Sequence, residues 1–343
     1  MAIKYLDAKR IRGLSSDTKP TNVPENTLFE ETDTRNVYGL SSASEWDVWY
    51  YGVGQTPLRG VFMGGEASGV VTMDYITIDT LGNATDFGDT QGHHSGGGSV
   101  DNGTRGVLGG MRSVPSGHTM DYITIATLGN VSVFGNLSEN RYGVGAVDDQ
   151  SRGVFAGGYN NTTYVGTMDY ITIGTLGNAT AWGTTLTAIR SGPGGNVSNN
   201  VRGVFSDGYS YPNVMDYITI QTTGACTDFG DMTQARGTNC GVSSVTTGRG
   251  IYCGGNNLGT QYNIMDYITI ASTGNATDFG DLSAVKAAPG GVSTDTRACI
   301  GGGTSGGSYI NNIEYITMAT TGNTTDFGDL TVARSEAKGV QGS

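Results

Sequence analysis

A pentapeptide that occurs six times constrains this chain more than any other feature. It reads Asp74-Tyr75-Ile76-Thr77-Ile78, starts again at Asp121, Asp169, Asp216 and Asp266, and returns as Glu-Tyr-Ile-Thr-Met from Glu314. The intervals are 47, 48, 47, 50 and 48 residues. Self-similarity at a fixed period of this size means one supersecondary unit repeated, each burying its apolar faces against its neighbours. The 343 residues therefore need not divide into the two or three domains that length alone suggests.

Each unit holds four strand candidates, seen best around Arg202. A Gly-rich first strand (Gly194 to Ser198) leads into Arg202-Gly203-Val204-Phe205, then a loop of variable length, then Met215-Asp216-Tyr217-Ile218-Thr219-Ile220. The turn Thr222-Thr223-Gly224-Ala225 precedes Thr227-Asp228-Phe229-Gly230. Short strands with turn signals every few residues describe an all-β array. Six four-stranded units point to a six-bladed β-propeller, in which radial closure leaves only short edges. Blades stack face to face, so the third strand should be apolar on both sides, and inner-strand glycines allow close backbone approach. Glycine numbers 57, but its fixed place in each unit makes it architectural.

The array is expected to span 51–343, with residues 1–50 forming an N-terminal arm and a small β-meander (Thr27 to Glu30, Asn36 to Gly39, Trp46 to Tyr50) that attaches to a particle or partner. Lys9, Arg10 and Arg12 are the candidate attachment residues. Ring closure has seven candidate first strands for six blades: Tyr51-Gly52-Val53-Gly54 copies Tyr142-Gly143-Val144-Gly145, and Lys338-Gly339-Val340-Gln341 aligns with the same position. The C-terminal copy is expected to close the ring.

A net charge of −12 disfavours nucleic-acid binding, which needs clustered Lys and Arg. No apolar run reaches the roughly 18 residues of a spanning helix. The N-terminus turns polar within four residues, without a secretory apolar segment, so assembly in a cytoplasm is expected. Cys226, Cys240, Cys253 and Cys299 occupy different repeat positions and are read as free thiols, with Cys240 and Cys253 the one pair able to face across a hairpin.

The doublets Gly64-Gly65, Gly109-Gly110, Gly157-Gly158, Gly254-Gly255 and Gly301-Gly302 each follow an apolar strand and precede a strand with Tyr and then a closing aromatic. This pattern resembles a kelch repeat, and the resemblance implies a propeller. It departs at Asp207-Gly208 and in the closing residue, which is Phe (Phe87, Phe134, Phe229, Phe279, Phe327) except for Trp182. The wording Tyr-Ile-Thr-Ile-x-Thr-x-Gly-Asn-Ala-Thr-Asp-Phe-Gly-Asp-Leu is similar to repeat proteins of tailed phages, marine cyanophages in particular. Residues Lys9 to Pro20 and Phe29 to Thr34 resemble N-terminal regions of phage virion and tail-fibre proteins. The resemblance implies a virion structural role, with other virion proteins and a host-surface glycan or protein as partners and a homo-oligomeric state on the particle. An intracellular kelch-like scaffold and a propeller enzyme acting on glycans are the alternatives.

No catalytic residues, cofactor or metal are expected. Asp86-Phe87-Gly88 copies a kinase triplet, but it recurs as a fourth strand without the rest of a kinase. The acid opening each third strand is expected to pair at the blade edge with the cation of the connection that follows, Asp169 with Arg190 for example. Arg59, Arg105, Arg152, Arg202, Arg249 and Arg297 are expected to pair with residues like Asp86. His93 and His94 would point to opposite faces of an extended segment. Asn83-Ala84-Thr85 and its copies read as turn formers. Variation concentrates in the loops between strands two and three, rich in Tyr, Asn, Ser and Gly, a composition suited to adaptable binding. The candidate ligand-binding residues are Tyr159, Asn160, Tyr164, Tyr209, Tyr211, Tyr262, Tyr309 and Asn311.

Overall fold

Short runs of Val, Ile, Phe and Tyr, cut by Gly-Asn and Asn-Gly turns, pair into antiparallel sheets wherever the repeat recurs. The computed structural model describes residues 4–7, 10–13, 18–19, 27–31, 37–40, 46–50 and 58–342, except 68–69, 93–94, 113–117, 186–193 and 207–212. Two compact units result, Met1–Pro57 and Leu58–Ser343.

The first unit is a sheet of five strands in chain order: Lys4–Asp7, Arg10–Gly13, Leu28–Glu31, Val37–Leu40 and Trp46–Tyr50. The expected meander is its last three strands. Arg10–Gly13 runs parallel to Leu28–Glu31, placing Arg10 opposite Leu28 and Arg12 opposite Glu30. Ile11 and Phe29 are partners in this register and both are buried. The Lys19 ammonium lies 4.1 Å from the Tyr38 ring centroid and 5.2 Å from that of Phe29. Lys9, and all of the expected arm 15–26 but Thr18 and Lys19, lie outside the described residues.

The second unit is a six-bladed β-propeller of four-stranded antiparallel sheets. Blade 4, for instance, comprises Asn196–Ser198, Arg202–Phe205, Val214–Thr219 and Thr227–Asp231. The C-terminal copy closes the ring: Lys338–Gly342 is the inner strand of blade 1, pairing with Arg59–Met63 so that Val340 faces Val61. The rival copy at Tyr51 to Gly54 lies outside the described residues. Strand direction separates two faces. One carries the loops between strands two and three and the connections between blades; the other carries the tight turns. They are called the loop face and the turn face below.

The core lies between blades. Each of six buried clusters joins residues of two consecutive blades, as where Val61, Met73 and Phe87 of blade 1 meet Leu108, Ile123 and Ile125 of blade 2. A recurrent knob sets the spacing. The inner-strand valine of one blade sits over the glycine that follows Arg in strand two of the next, Val340 over Gly106 and Val100 over Gly153, where a Cβ would lie 2.6 Å from a valine methyl. That contact explains the glycine of Arg-Gly-Val-Phe.

The Asp-Phe-Gly triplet has an equally mechanical cause. Gly88 stands at φ 142° beside a bulge, and the Gly129 carbonyl of the next blade would lie 2.4 Å from any Cβ there. The Gly-Asn turn of that next blade docks on the outer strand: Gly129 and Val131 donate to Phe87 O and Asp89 O, and Asn130 Oδ1 accepts from Asp89 N at 2.9 Å. Asn178, Asn275, Asn323 and Asn83 repeat this clamp. These asparagines are therefore more than turn formers. Where Ala225 replaces the asparagine, the preceding blade carries Trp182 in place of Phe, and its indole N–H donates to Gly224 O at 2.8 Å.

The strand-two arginines do not take carboxylate partners of the Asp86 kind. Arg59 lies 4.4 Å from the Tyr75 ring centroid and donates to Ile125 O of the next blade at 2.8 Å. Tyr75 in turn packs edge-on against Phe87. All six blades repeat this Arg–Tyr–aromatic stack and its bond to the next blade's carbonyl. A guanidinium over an aromatic face gains cation–π energy while its N–H groups remain free to bond in plane.

Candidate functional site on the loop face

The acids that open the third strands define the floor of the loop face, and their pairing differs from expectation. Arg141 donates to Asp169 at 3.0 Å, Arg236 to Asp266 at 2.8 Å, Lys286 to Glu314 at 3.0 Å and Arg334 to Asp74 at 2.9 Å. The cation comes from the connection entering the blade, not the one leaving it. The pairs are buried rather than at an edge, with every side chain at most 2% exposed. The physical reason is that the incoming connection crosses the end of strand two, so its cation also reaches backbone carbonyls there: Arg141 bonds Phe155 O, Arg236 bonds Gly254 O, and Arg334 bonds Phe62 O. Arg190 itself lies outside the described residues.

Each carboxylate is further satisfied by a Ser or Thr of the same connection, as when Ser138 N and Oγ donate to Asp169 at 3.0 and 2.6 Å. Burial alone would raise the Glu314 carboxyl, but the Lys286 ammonium, the Ser283 N–H and the Thr324 hydroxyl hold it at about 2. Paired charge to charge and closed to solvent, these groups are structural, although Nε of Arg141 and of Arg334 has no hydrogen-bond partner among the described residues. In blade 2 the cation position is filled in sequence by His94, outside the described residues, and burial pushes Asp121 up to about 6.

Above this floor, the incoming connections pair with the loops. Bridges join Glu66 to Ser335, Tyr142 to Tyr159, Gly237 to Asn256 and Ala287 to Thr304. The Gly doublet makes room: a Cβ on Gly65 would stand 2.6 Å from Ser335 O, and one on Gly158 2.8 Å from Tyr142 O. In blade 6 the equivalent residues by conformation are Gly302 and Gly303, one position later than the sequence pairing. Toward the axis, Gly96, Gly143, Thr238, Ala288 and Glu336 all adopt positive φ. Gly143, Ala288 and Glu336 each donate to the carbonyl of the preceding member, Gly96, Thr238 and Ala288.

The candidate ligand residues fall into separate settings. Tyr159 and Tyr164 are together, with centroids 4.9 Å apart, and Tyr142 meets Tyr159 edge-on at 5.5 Å, with Arg112 over the Tyr142 ring. Asn160 Oδ1 accepts from Thr162 and Thr163 N–H, so its side chain builds the turn between the two tyrosines. Tyr262 N donates to Gly255 O within the next hairpin but one, and Gln261 beside it reaches Thr304 and Gly306 of blade 6. Tyr309 is 42% exposed. Its phenol is raised by partial burial and by the Glu66 and Glu336 carboxyls, which places an aromatic ring and two acids in one neighbourhood. Glu336 is itself raised, chiefly by burial. Asn311 is exposed and donates to Leu330 O. Tyr209 and Tyr211 lie outside the described residues, as do His93 and His94.

Among the described residues no three His, Cys, Asp or Glu side chains gather as a metal site. No helix is long and apolar enough to cross a membrane. All four cysteines are free thiols, and Cys240 faces Cys253 directly across its hairpin.

A second polar ring, missed in the sequence, lies at the axis toward the turn face. One residue after each inner-strand valine, Ser243 N donates to Ser293 Oγ, Ser293 N to Gln341 Oε1, Gln341 N to Asp101 Oδ2 and Asp101 N to Asp148 Oδ2. Burial raises Asp101 to about 6, against the pull of the Gln341 and Gly103 N–H groups. Burial and then the Asp101 charge raise Asp148 well above the usual range. The folded state thus holds protons that the unfolded chain releases near the ordinary aspartate value of 3.8. Stability should be fullest at low pH on this account and be lost as pH rises from about 4 through about 6. Melting curves over this range should show the decline, and Asp101→Asn should flatten it; parallel profiles for the two proteins would refute the assignment.

No protein-family model and no curated protein matches the chain.

Proposed function

We propose that this chain is a non-enzymatic virion component of a tailed phage. The loop face meets a host-surface glycan or protein, and residues 1–50 join other virion proteins. The observation that carries this reading is the contrast between blades that are copied and loops that are not. The stacks, clamps and buried ion pairs recur from blade to blade, while the loop face presents Tyr142, Tyr159 and Tyr164 in blade 3, a Gln261–Tyr262 hairpin in blade 5 and Tyr309 beside Glu66 in blades 6 and 1. Aromatic rings offer flat apolar area at low entropic cost. Beside carboxylates and amides they suit a hydroxyl-rich sugar, whose C–H face stacks while its hydroxyls donate. The resemblance of the repeat wording and of residues 9–20 to phage structural proteins supports the particle context.

The test uses particles carrying variant chains. Tyr309→Ala with Tyr164→Ala should leave incorporation and melting unchanged and reduce adsorption to host cells about tenfold or more, the loss expected for about 1.4 kcal/mol of binding energy. Deleting residues 1–50 should leave a folded propeller that no longer enters particles. Normal adsorption by the first variant, or normal assembly by the second, would remove the corresponding half of the proposal.

A further inference from the structure

One rung of one blade carries two of the chain's four cysteines. In blade 5 the inner strand Cys240–Ser244 pairs with Arg249–Cys253, and the register sets Cys240 opposite Cys253 at the loop-face end of the ladder. The same rung pairs Gly98 with Gly109 in blade 2, Gly145 with Ala156 in blade 3, Gly290 with Gly301 in blade 6 and Lys338 with Met63 in blade 1. In blade 4 the Ser206 hydroxyl donates to Gly195 O there. Cysteine thus fills both sides of a single rung, and no other blade has a cysteine on either side of it.

The geometry of this rung suits a disulfide. Directly opposed residues of an antiparallel ladder hold their Cα atoms about 4.5–5.5 Å apart, inside the span of about 4.4–6.8 Å that the bond accepts. Both side chains lie in the buried cluster between blades 5 and 6. Cys240 Sγ faces Gly291 of blade 6, where a Cβ would stand 3.4 Å from it. A hydrogen bond to Cys240, and then burial, raise the Cys253 thiol well above the usual range, so the two sulfurs are in contact and Cys253 keeps its proton. Cys240 is 7% exposed and Cys253 is closed to solvent. Cys226 and Cys299 belong to two other clusters.

We propose that this rung is an oxidation site: a peroxide joins Cys240 to Cys253 as a disulfide that braces the loop-face hairpin of blade 5. The Cys240 sulfur, the more exposed of the two, attacks one peroxide oxygen. The O–O bond breaks, the departing oxygen takes the Cys240 proton and leaves as water, and Cys240 becomes a sulfenic acid. The Cys253 sulfur then attacks the Cys240 sulfur, the S–O bond breaks, and the hydroxyl departs with the Cys253 proton as a second water. The two thiols lose two electrons and the peroxide gains them. The new bond lies directly below the bridge between Gly237 and Asn256, whose N–H groups donate to each other's carbonyls at 2.7 and 2.8 Å. Asn257 Nδ2 donates to Ala235 O at 3.0 Å in the same seam. These bonds seat the hairpin 256–261, with Tyr262 after it, on the incoming connection, and a covalent rung beneath them ties both segments at their base. The thiols persist in a reducing cytoplasm and the bond sets outside one.

Hydrogen peroxide treatment of the full chain tests this. Alkylation in denaturant and peptide mapping should find two of the four free thiols lost, with Cys240 and Cys253 in one linked peptide that a dithiol reductant separates. Cys226 and Cys299 should remain alkylated. Cys253→Ser places in blade 5 the residue that blade 4 carries as Ser206, so the blade accepts it, and Cys240 should then accumulate as a sulfenic acid that dimedone captures. In the oxidised wild type, amide exchange at Gly237 and Asn256 should slow about tenfold, because local opening is restrained at its base. Survival of all four thiols at a dose that oxidises free glutathione in the same tube would overturn the proposal, as would a linked peptide containing Cys226 or Cys299. Lack of capture at Cys240 in the variant would overturn the order of attack, and unchanged exchange after the bond has formed would overturn the bracing.

Discussion

Removing residues 338–343 is expected to abolish cooperative melting of the propeller near the full chain's transition. These residues are the inner strand of blade 1, and without them Arg59–Met63 loses its ladder partner. Val340 is fully buried against Gly106 of blade 2. Gln341 N and Gly339 O also lose their bonds to Asp101 Oδ2 and Ser99 Oγ. Burying one valine contributes about 1.5–3 kcal/mol, and ladder bonds about 1 kcal/mol each. The sum is on the order of 5–8 kcal/mol, comparable with the whole stability of an ordinary domain, about 5–15 kcal/mol. Calorimetry of the shortened chain measures it directly. An unchanged transition would mean that another segment closes the ring, and the copy at Tyr51 to Gly54 would be the one to delete next.

The second large effect is expected at the buried ion pairs. Arg236→Met removes the guanidinium that bonds Asp266, Gly254 O and Tyr252 O, all inside the protein. Asp266 keeps its bonds from Thr233 N and Oγ1 but remains a buried anion without its cation. Breaking one partner of such a pair costs about 3–5 kcal/mol. Asp266→Asn added to Arg236→Met should recover a substantial part by removing the orphaned charge. Denaturant unfolding of the single and double variants gives the coupling. A single variant within about 0.5 kcal/mol of wild type would show that the pair contributes little. Blade 6 provides an internal comparison, since it achieves the same contact with a longer acid and an ammonium, Glu314 and Lys286. Glu314→Asp with Lys286→Arg restores the common form and should be nearly neutral.

The period of Asp-Tyr-Ile-Thr-Ile made the blades legible, because the repeat fixes which residues are equivalent and alternation fixes which are apolar. Counting first strands left two copies that could close the ring, and the pairing of Lys338–Gly342 with Arg59–Met63 decides for the expected C-terminal one. What the period leaves open is direction across a boundary. Asp169 is flanked in sequence by Arg141 and Arg190, and only the path of the connection over strand two decides for Arg141. The arginines of strand two were misassigned for a related reason: an Asp of the fourth strand at the same edge is an obvious partner on paper, whereas the Tyr75 ring and the Ile125 carbonyl of another blade are invisible there. The exchange of Asn for Ala225 is matched by Trp182 forty-three positions earlier in the chain, a compensation that reads as two unrelated departures until the blades are set side by side. The candidate loop residues were chosen by composition, and composition does not separate Asn160, which holds a turn, from Tyr309, which faces solvent.

The asymmetry of the ion pairs also bears on the order in which the protein can be completed during synthesis. In blades 3, 5 and 6 the cation precedes its carboxylate along the chain, as Arg141 precedes Asp169, so each carboxylate finds its cation already translated. Blade 1 is the reverse: Asp74 awaits Arg334, and Arg59–Met63 awaits Lys338–Gly342. The first blade to leave the ribosome is therefore the last that can be finished, and a nascent ring stays open until the final blade is available to close it.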